Sequence, residues 1–250
     1  VERLKKALQS QYAIAGQLQQ RPAPAEGGIF KKSWFKLWGA NRPLPDFQYI
    51  IQSYDTAVTA DTQNDPTAGE TWGIFKEEGR WCALMLDCWT AYLEYPQLKK
   101  RVVEAFHSLY GDPPKEVDLI VIEDKSSGAS LRRDLAQDGL PIKAFKTGKA
   151  DKVQRAHMVT HLAENGLIYV LESNKPERKG MPVSWAEAFL DEITMFPNAK
   201  HDDLVDAAVQ CWALLKDMKL IAASAGSNID EDESEYKESW EMEGVNPYAV

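Results

Sequence analysis

The stretch VDLIVIED, Val117–Asp124, constrains the fold more than any other. A short, continuous apolar run marks a strand covered on both faces, which belongs to a parallel sheet flanked by helices. Upstream, QYIIQSYDTA (Gln48–Ala57) is a β-rich run ending in Asp55, and Glu70–Thr90 reads as two strands around the polar turn Glu77–Arg80. Glu94–Gly111 is an amphipathic helix stopped by Gly111. Downstream, helices near Ser130–Gln137, Asp151–Gly166 and Ser184–Phe196 alternate with the strands PIKAFK and LIYVLE. Ser184 with Glu187 reads as a capping box. This order predicts an α/β fold: a mixed central sheet, an antiparallel meander followed by parallel crossover units, with helices on both faces. In such sheets the site lies at the carboxyl ends of the central strands.

The last helix, in NAKHDDLVDAAVQCWALL (Asn198–Leu215), ends apolar but opens with His201, Asp202, Asp203 and Asp206. One acid at a helix N-terminus is ordinary capping. Three within five residues, with Asp202/Asp206 and Asp203/Asp206 at same-face spacings, exceed that need. On this segment alone, capping and metal binding both stay open.

Asp55 ends the first strand and Glu123 ends the first parallel strand. If those strands are neighbours, two carboxylates meet at one sheet edge, and the last helix can aim Asp203 there, with Asp202, Asp206 and His201 nearby. Unpaired carboxylates in a cluster are unfavourable without a cation. Hard divalent ions, Mg²⁺ or Mn²⁺, suit oxygen ligands. Two such ions about 3.5–4 Å apart can hold a phosphodiester, activate water and stabilise the leaving oxygen. The chemistry suggested is two-metal phosphodiester hydrolysis.

At these residues the chain resembles a known family. SYDTAVTADTQNDPTA, IVIEDKSSGASL and HDDLVDA are similar to the motifs of the nuclease domain of bacteriophage large terminase subunits, and QLQQRPAPAEGGIFKKSWF resembles the segment joining terminase ATPase to nuclease. The resemblance implies a ribonuclease-H-like fold related to the RuvC resolvases. It also implies divalent-metal-dependent endonucleolytic cutting of concatemeric double-stranded DNA during viral genome packaging. It assigns catalysis and metal binding to Asp55, Glu123 and Asp203, with Asp202 and Asp206 as further metal ligands and His201 as a candidate. Which of the Asp202–Asp203 pair binds metal the motif does not settle. Implied partners are double-stranded DNA, an upstream ATPase domain, the portal protein and the small terminase subunit. The implied location is the host cytoplasm, transiently at the procapsid portal.

The P-loop pattern GxxxxGK[ST] does not occur; KTGKAD (Lys146–Asp151) lacks its first glycine and its final hydroxyl residue. ATP hydrolysis by this stretch is therefore not expected. The expected organisation is a connector over residues 1–45, with an ordered core starting near Phe47 and Trp34 and Trp38 docking on the absent domain. A nuclease domain covers 46–222 and an acidic, disordered tail 223–250. Since the chain starts at Val1 it reads as a piece of a longer protein.

Net charge is −9, but Asp230–Glu243 holds eight acids and one lysine, a net of −7 that leaves about −2 for the remainder. Overall acidity therefore does not argue against DNA binding. Lys143, Lys146, Lys149, Lys152 and Arg155 form the only dense basic run of the expected core and are the candidate DNA-contacting strip, against a solvated loop. His157 and His161 stand four apart but lack a third ligand, and read as a helix face. Asp65 reads as a turn residue before Pro66, or as a hydrogen-bonding neighbour of the metals. Asp124 should point away from the site. Three cysteines without a CxxC argue against a disulfide framework or structural zinc. No apolar run reaches the roughly 18 residues of a membrane span.

Other readings are a resolvase-like or exonucleolytic enzyme, an actin-like or sugar-kinase-like ATPase, and a non-catalytic module of a packaging motor. DTAVTA lacks the glycine that a phosphate-binding hairpin needs, which weighs against the ATPase.

Overall fold

The structure is a computed structural model that describes residues 28–57, 65–124, 126–148 and 150–218. A seven-stranded mixed sheet runs through it. In chain order the strands are β1 (Lys36–Trp38), β2 (Tyr49–Asp55), β3 (Thr67–Glu77), β4 (Arg80–Ala91), β5 (Leu119–Glu123), β6 (Ile142–Phe145) and β7 (Ile168–Leu171). The helices are α1 (Tyr95–Phe106), α2 (Ser126–Gln137), α3 (Lys152–Glu164), α4 (Ser184–Met195) and α5 (Asp203–Asp217). The spatial order is β1-β7-β4-β3-β2-β5-β6. The β2-β3-β4 meander is antiparallel, and β5, β6, β7 and β1 join it in parallel. This is the mixed sheet read from the sequence. Among the described residues, no helix is long and apolar enough to cross a membrane.

The two faces follow from strand periodicity. Ile120 and Ile122 of β5 pack with Tyr54 of β2, Leu98 and Val102 of α1, and Leu131 and Leu135 of α2. Leu119 and Val121 face the larger core, which also contains the apolar side of α5. Glu123 continues that second series and so projects to the α5 side. On β2, Ser53 bonds α5 directly, its hydroxyl donating to the Ala207 carbonyl at 2.7 Å. Asp55, two residues on, shares that face.

Helix α5 is seated by aromatics and by one amide. Trp212 meets Trp72 of β3 edge-on at 5.5 Å and Phe30 at 5.8 Å, and Phe189 of α4 meets Trp72 at 6.1 Å. The buried Gln210 amide donates to Ser53 Oγ (2.9 Å), the Val121 carbonyl (3.2 Å) and the Tyr54 carbonyl (3.3 Å). One side chain thus ties α5 to both strands that carry site acids.

Three sequence readings are corrected here. The ordered core begins well before Phe47. Phe30, Phe35 and Trp38 are core residues, Trp38 is 2% exposed, and β1 pairs with β7. Trp38 therefore packs within this body, where Arg42 stacks on its ring at 3.5 Å, and Trp34 packs partly against the same core. Secondly, α1 ends at Phe106 rather than Gly111. The Ser108 hydroxyl donates to the Glu104 carbonyl, and Tyr110 and Lys115 exchange backbone bonds around Gly111. Thirdly, the α4 cap is Val183, not Ser184, and no side chain closes the box. Glu187 instead accepts from the Arg178 guanidinium at 2.7 Å, a charge-assisted bond stronger than one to a neutral N–H. Residues 1–27 and 219–250, including the expected acidic tail, lie outside the described residues.

Candidate active site

Asp55 and Glu123 are the last residues of neighbouring parallel strands, in register through Tyr54 and Ile122. Both strands therefore end at the same sheet edge, on the face that α5 covers. The end of β5 is held by Arg132 of α2, which donates to the Glu123 carbonyl and to the Asp124 carboxylate. Asp124 is thereby turned to α2 and away from the site, as its strand position predicts. The approach of α2 requires Gly128: a Cβ there would lie 2.8 Å from the Glu123 carbonyl oxygen and 2.7 Å from Ile122.

The first turn of α5 brings Asp202, Asp203 and Asp206 to this edge, and they do not cap the helix. Asp202 stands at the N-cap without a side-chain cap bond. The orphan N–H groups go to Glu192 of α4, whose Oε1 accepts from Leu204 at 2.8 Å and Val205 at 3.2 Å. A carboxylate from another helix does the capping, which leaves the aspartates for another role.

The acids perturb one another. Burial first, then the carboxylates of Asp206, Glu123 and Asp203, push the Asp55 carboxyl up to about 7. Burial, then Asp65 and Asp202, push Asp203 up to about 6. Burial also raises Asp206, against the lowering effect of its hydrogen bond from Lys152. Glu192 is pushed up to about 7 by burial, despite its two N–H donors. Asp55, Asp203 and Asp206, repelled by neighbouring carboxylates and resistant to ionisation, are carboxyls that a nearby cation would stabilise.

Asp203 is 4% exposed, and among the described residues its Oδ2 has no hydrogen-bond partner, nor has the buried Nδ1 of His201, 3.9 Å away. One ligand atom each of Asp65, His201 and Asp203 lies within 4.8 Å of the others, the one such group among the described residues. Asp65, His201 and Asp203 suit a hard divalent ion with mixed oxygen and imidazole ligands; Asp55 and Glu123 are not members of that group, and Asp55 is linked to it through the electrostatic influence of Asp203. Asp65, by sequence either a turn residue or a neighbour of the metals, is thus brought into the cluster. His157 and His161 belong to no such group among the described residues, in line with a helix face.

The basic strip does not form one exposed surface. Arg155 is 8% exposed, donating to the Ala150 carbonyl at 3.0 Å and lying 3.6 Å from Asp206. The Lys152 ammonium is 2.5 Å from Asp206 and 3.0 Å from both Asp202 oxygens. Burial disfavours its charge, but the bonds from Asp206 and Asp202 more than offset this and keep it protonated. Lys146 is exposed, Lys143 half-buried, and Lys149 lies outside the described residues.

The sequence comparisons fit this geometry. The model of the terminase RNase H-like domain matches residues 52–216, a span holding both strand-end acids and the whole first turn of α5. The chain belongs to that terminase family. The motif resemblance to terminase nuclease domains and the ribonuclease-H-like fold both stand on this match. No curated protein sequence matches the chain. Among solved structures, the large terminase nuclease of the thermophilic phage G20c with bound magnesium is 14% identical, with a TM-score of 0.51 over 76% of this chain and 98% of that one. The P22 large terminase nuclease domain is 14% identical, with a TM-score of 0.50 over 75% of this chain and 91% of that one. At such identities these likenesses are of fold.

Three contributors to the terminase site escape sequence reasoning. Glu192 shows itself as an acid three residues after the buried Phe189 on an otherwise apolar helix face. Gln210 interrupts the apolar AAVQCWALL. Lys152 reads from the sequence only as a DNA-binding lysine.

Proposed function

We propose that this terminase domain is a divalent-metal-dependent endonuclease that cuts concatemeric double-stranded viral DNA, with Asp55, Glu123 and Asp203 as its central acids. The observation that carries the reading is the pair of orphaned, buried donor atoms, Asp203 Oδ2 and His201 Nδ1, grouped with Asp65 at the start of the helix whose Asp203 and Asp206 act electrostatically on the strand-end Asp55. Asp55, Glu123 and Asp203 would hold Mg²⁺ or Mn²⁺, two ions in the full reading, with His201 and Asp65 adjoining. Once bound, the ions supply charge stabilisation and water activation at a phosphodiester.

The chain's own residues do the rest. The sheet fixes Asp55 and Glu123, Gln210 fixes α5 against the same strands, and Glu192 accepts the Leu204 and Val205 N–H groups at the start of α5. Carboxylates held this rigidly need little reorganisation when a phosphodiester arrives. Lys146, Lys149 and Lys143 would contact backbone phosphates beside the acids, a contact independent of base sequence. The partners in this reading are double-stranded DNA, an ATPase domain of the same polypeptide, the portal protein and the small terminase subunit. Its setting is the host cytoplasm, at the procapsid portal.

The test is cleavage of supercoiled plasmid with Mg²⁺ or Mn²⁺, with and without EDTA, for the wild type and for Asp55→Asn, Glu123→Gln and Asp203→Asn. Metal-dependent nicking and linearisation, lost in each variant with the fold intact, is the expected result. Cleavage that persists in EDTA, or survives all three changes, would overturn the reading.

A further inference from the structure

Lys152 stands where a lysine does not help its own helix. It is the first residue of α3, after the Asp151 cap, whose carboxylate accepts from Gln154 N at 2.8 Å. The positive end of the helix dipole disfavours a cation there. Its partners lie instead across the site on α5. The ammonium meets three acceptors, Asp206 Oδ2 at 2.5 Å and the two Asp202 oxygens at 3.0 Å each, one for each of its N–H groups.

Arg155, one turn on, approaches the other oxygen of Asp206 at 3.6 Å. The two cations differ in freedom. Arg155 is buried and tied to the Ala150 carbonyl, whereas the Lys152 side chain is 43% exposed and can swing towards solvent. The Asp203 side differs again: its orphaned oxygen lies 3.9 Å from the His201 nitrogen, and among the described residues Lys152 reaches it only through space.

The geometry points to Lys152 as a tethered counter-ion at Asp202 and Asp206 that a second divalent ion has to displace before it can bind there. This rests on the metal-dependent reading above. It makes loading ordered. The first ion enters on the Asp203 side, where Lys152 acts only through space rather than by a hydrogen bond. The second enters against Lys152 and so binds more weakly.

The experiment is calorimetric titration of the full chain with Mn²⁺ alone, without DNA, for the wild type, Lys152→Met, Lys152→Gln and Lys152→Arg. Circular dichroism checks that each variant is folded, and the glutamine form serves if the methionine form is not. The expected result is two binding steps in the wild type. The weaker should tighten by about tenfold or more in the neutral variants, the change expected from removing one nearby unit charge. Lys152→Arg should keep a weak second step. A second step that is unchanged or weaker in both neutral variants would overturn the counter-ion role and leave the metal-dependent reading standing. No Mn²⁺ binding in any form, wild type included, would overturn both.

Discussion

Glu192 on α4 accepts the backbone N–H of Leu204 at 2.8 Å, so the helix that carries the site aspartates is capped by a residue eleven positions before its first one. The cap fixes the start of α5, the turn that carries Asp203 and Asp206. Glu192→Ala should lower stability by about 0.5–2 kcal/mol, the usual effect of losing an N-cap acceptor. Glu192→Gln keeps an acceptor oxygen and should retain most of that stability. Urea denaturation of the three forms measures it; an alanine variant as stable as the wild type would remove Glu192 from this role.

The raised carboxyls set a pH dependence. Asp55 and Glu192 are pushed up to about 7 and Asp203 to about 6. A carboxyl whose pKa is raised on folding contributes stability that is complete below the unfolded value, about 4. That stability is lost as pH rises through the folded value, because the unfolded chain then binds fewer protons than the folded one. The metal-free domain should therefore lose thermal stability between about pH 4 and 7, by at least the roughly 2–4 °C that one kcal/mol represents at this size. Mn²⁺ at neutral pH should restore it. Thermal melts across that range, with and without Mn²⁺, decide the point; a midpoint that rises steadily from pH 4 to 7 without metal would contradict it.

The segment before β2 is part of this core. Phe35 packs edge-on to Phe189 at 6.0 Å and lies 6.3 Å from Trp212. Phe35→Ala should cost about 3–5 kcal/mol, the range for a large aromatic removed from a packed core. A loss under about 1 kcal/mol would mean that the segment packs only loosely on the domain.

Lysines of the β6–α3 region should divide by environment. Lys146→Ala with Lys149→Ala should weaken binding of unrelated duplexes equally. It should also flatten the salt dependence, by roughly 0.9 in log–log slope for each phosphate no longer neutralised. Arg155→Ala should act mainly on stability, since its guanidinium is buried against Asp206 and Ala150. Binding of two duplexes over a salt series separates these outcomes. An unchanged slope in the double lysine variant would send the DNA path elsewhere, with Lys31, Lys32 and Lys36 as the next candidates.

Long periodic elements were legible in the sequence because their patterns are local. The β5 run, the β3–β4 hairpin and the α5 stripe each announce themselves within a dozen residues. The three-residue β1 is made by pairing with β7, more than 130 residues away, so no local pattern carries it. The strand-end acids were legible because each sits at the last residue of its strand. Glu192, Gln210 and the ion pairs of Lys152 depend on which helix lies over which strand. Periodicity gives a helix its buried side but not its neighbour. Asp65 reads from the sequence as turn chemistry or as a neighbour of the metals, and only the placement of Asp203 and His201 beside it favours the second.

The central claim is that Asp55, Glu123 and Asp203 hold a divalent ion. Crystals of the domain soaked in Mn²⁺ and measured at the manganese edge test it most directly. The account predicts anomalous density between the ends of β2 and β5 and the first turn of α5, within ligand distance of these carboxylates, and its loss in Asp203→Asn. Ordered carboxylates with no anomalous density between them, at Mn²⁺ concentrations that support cleavage, would contradict it.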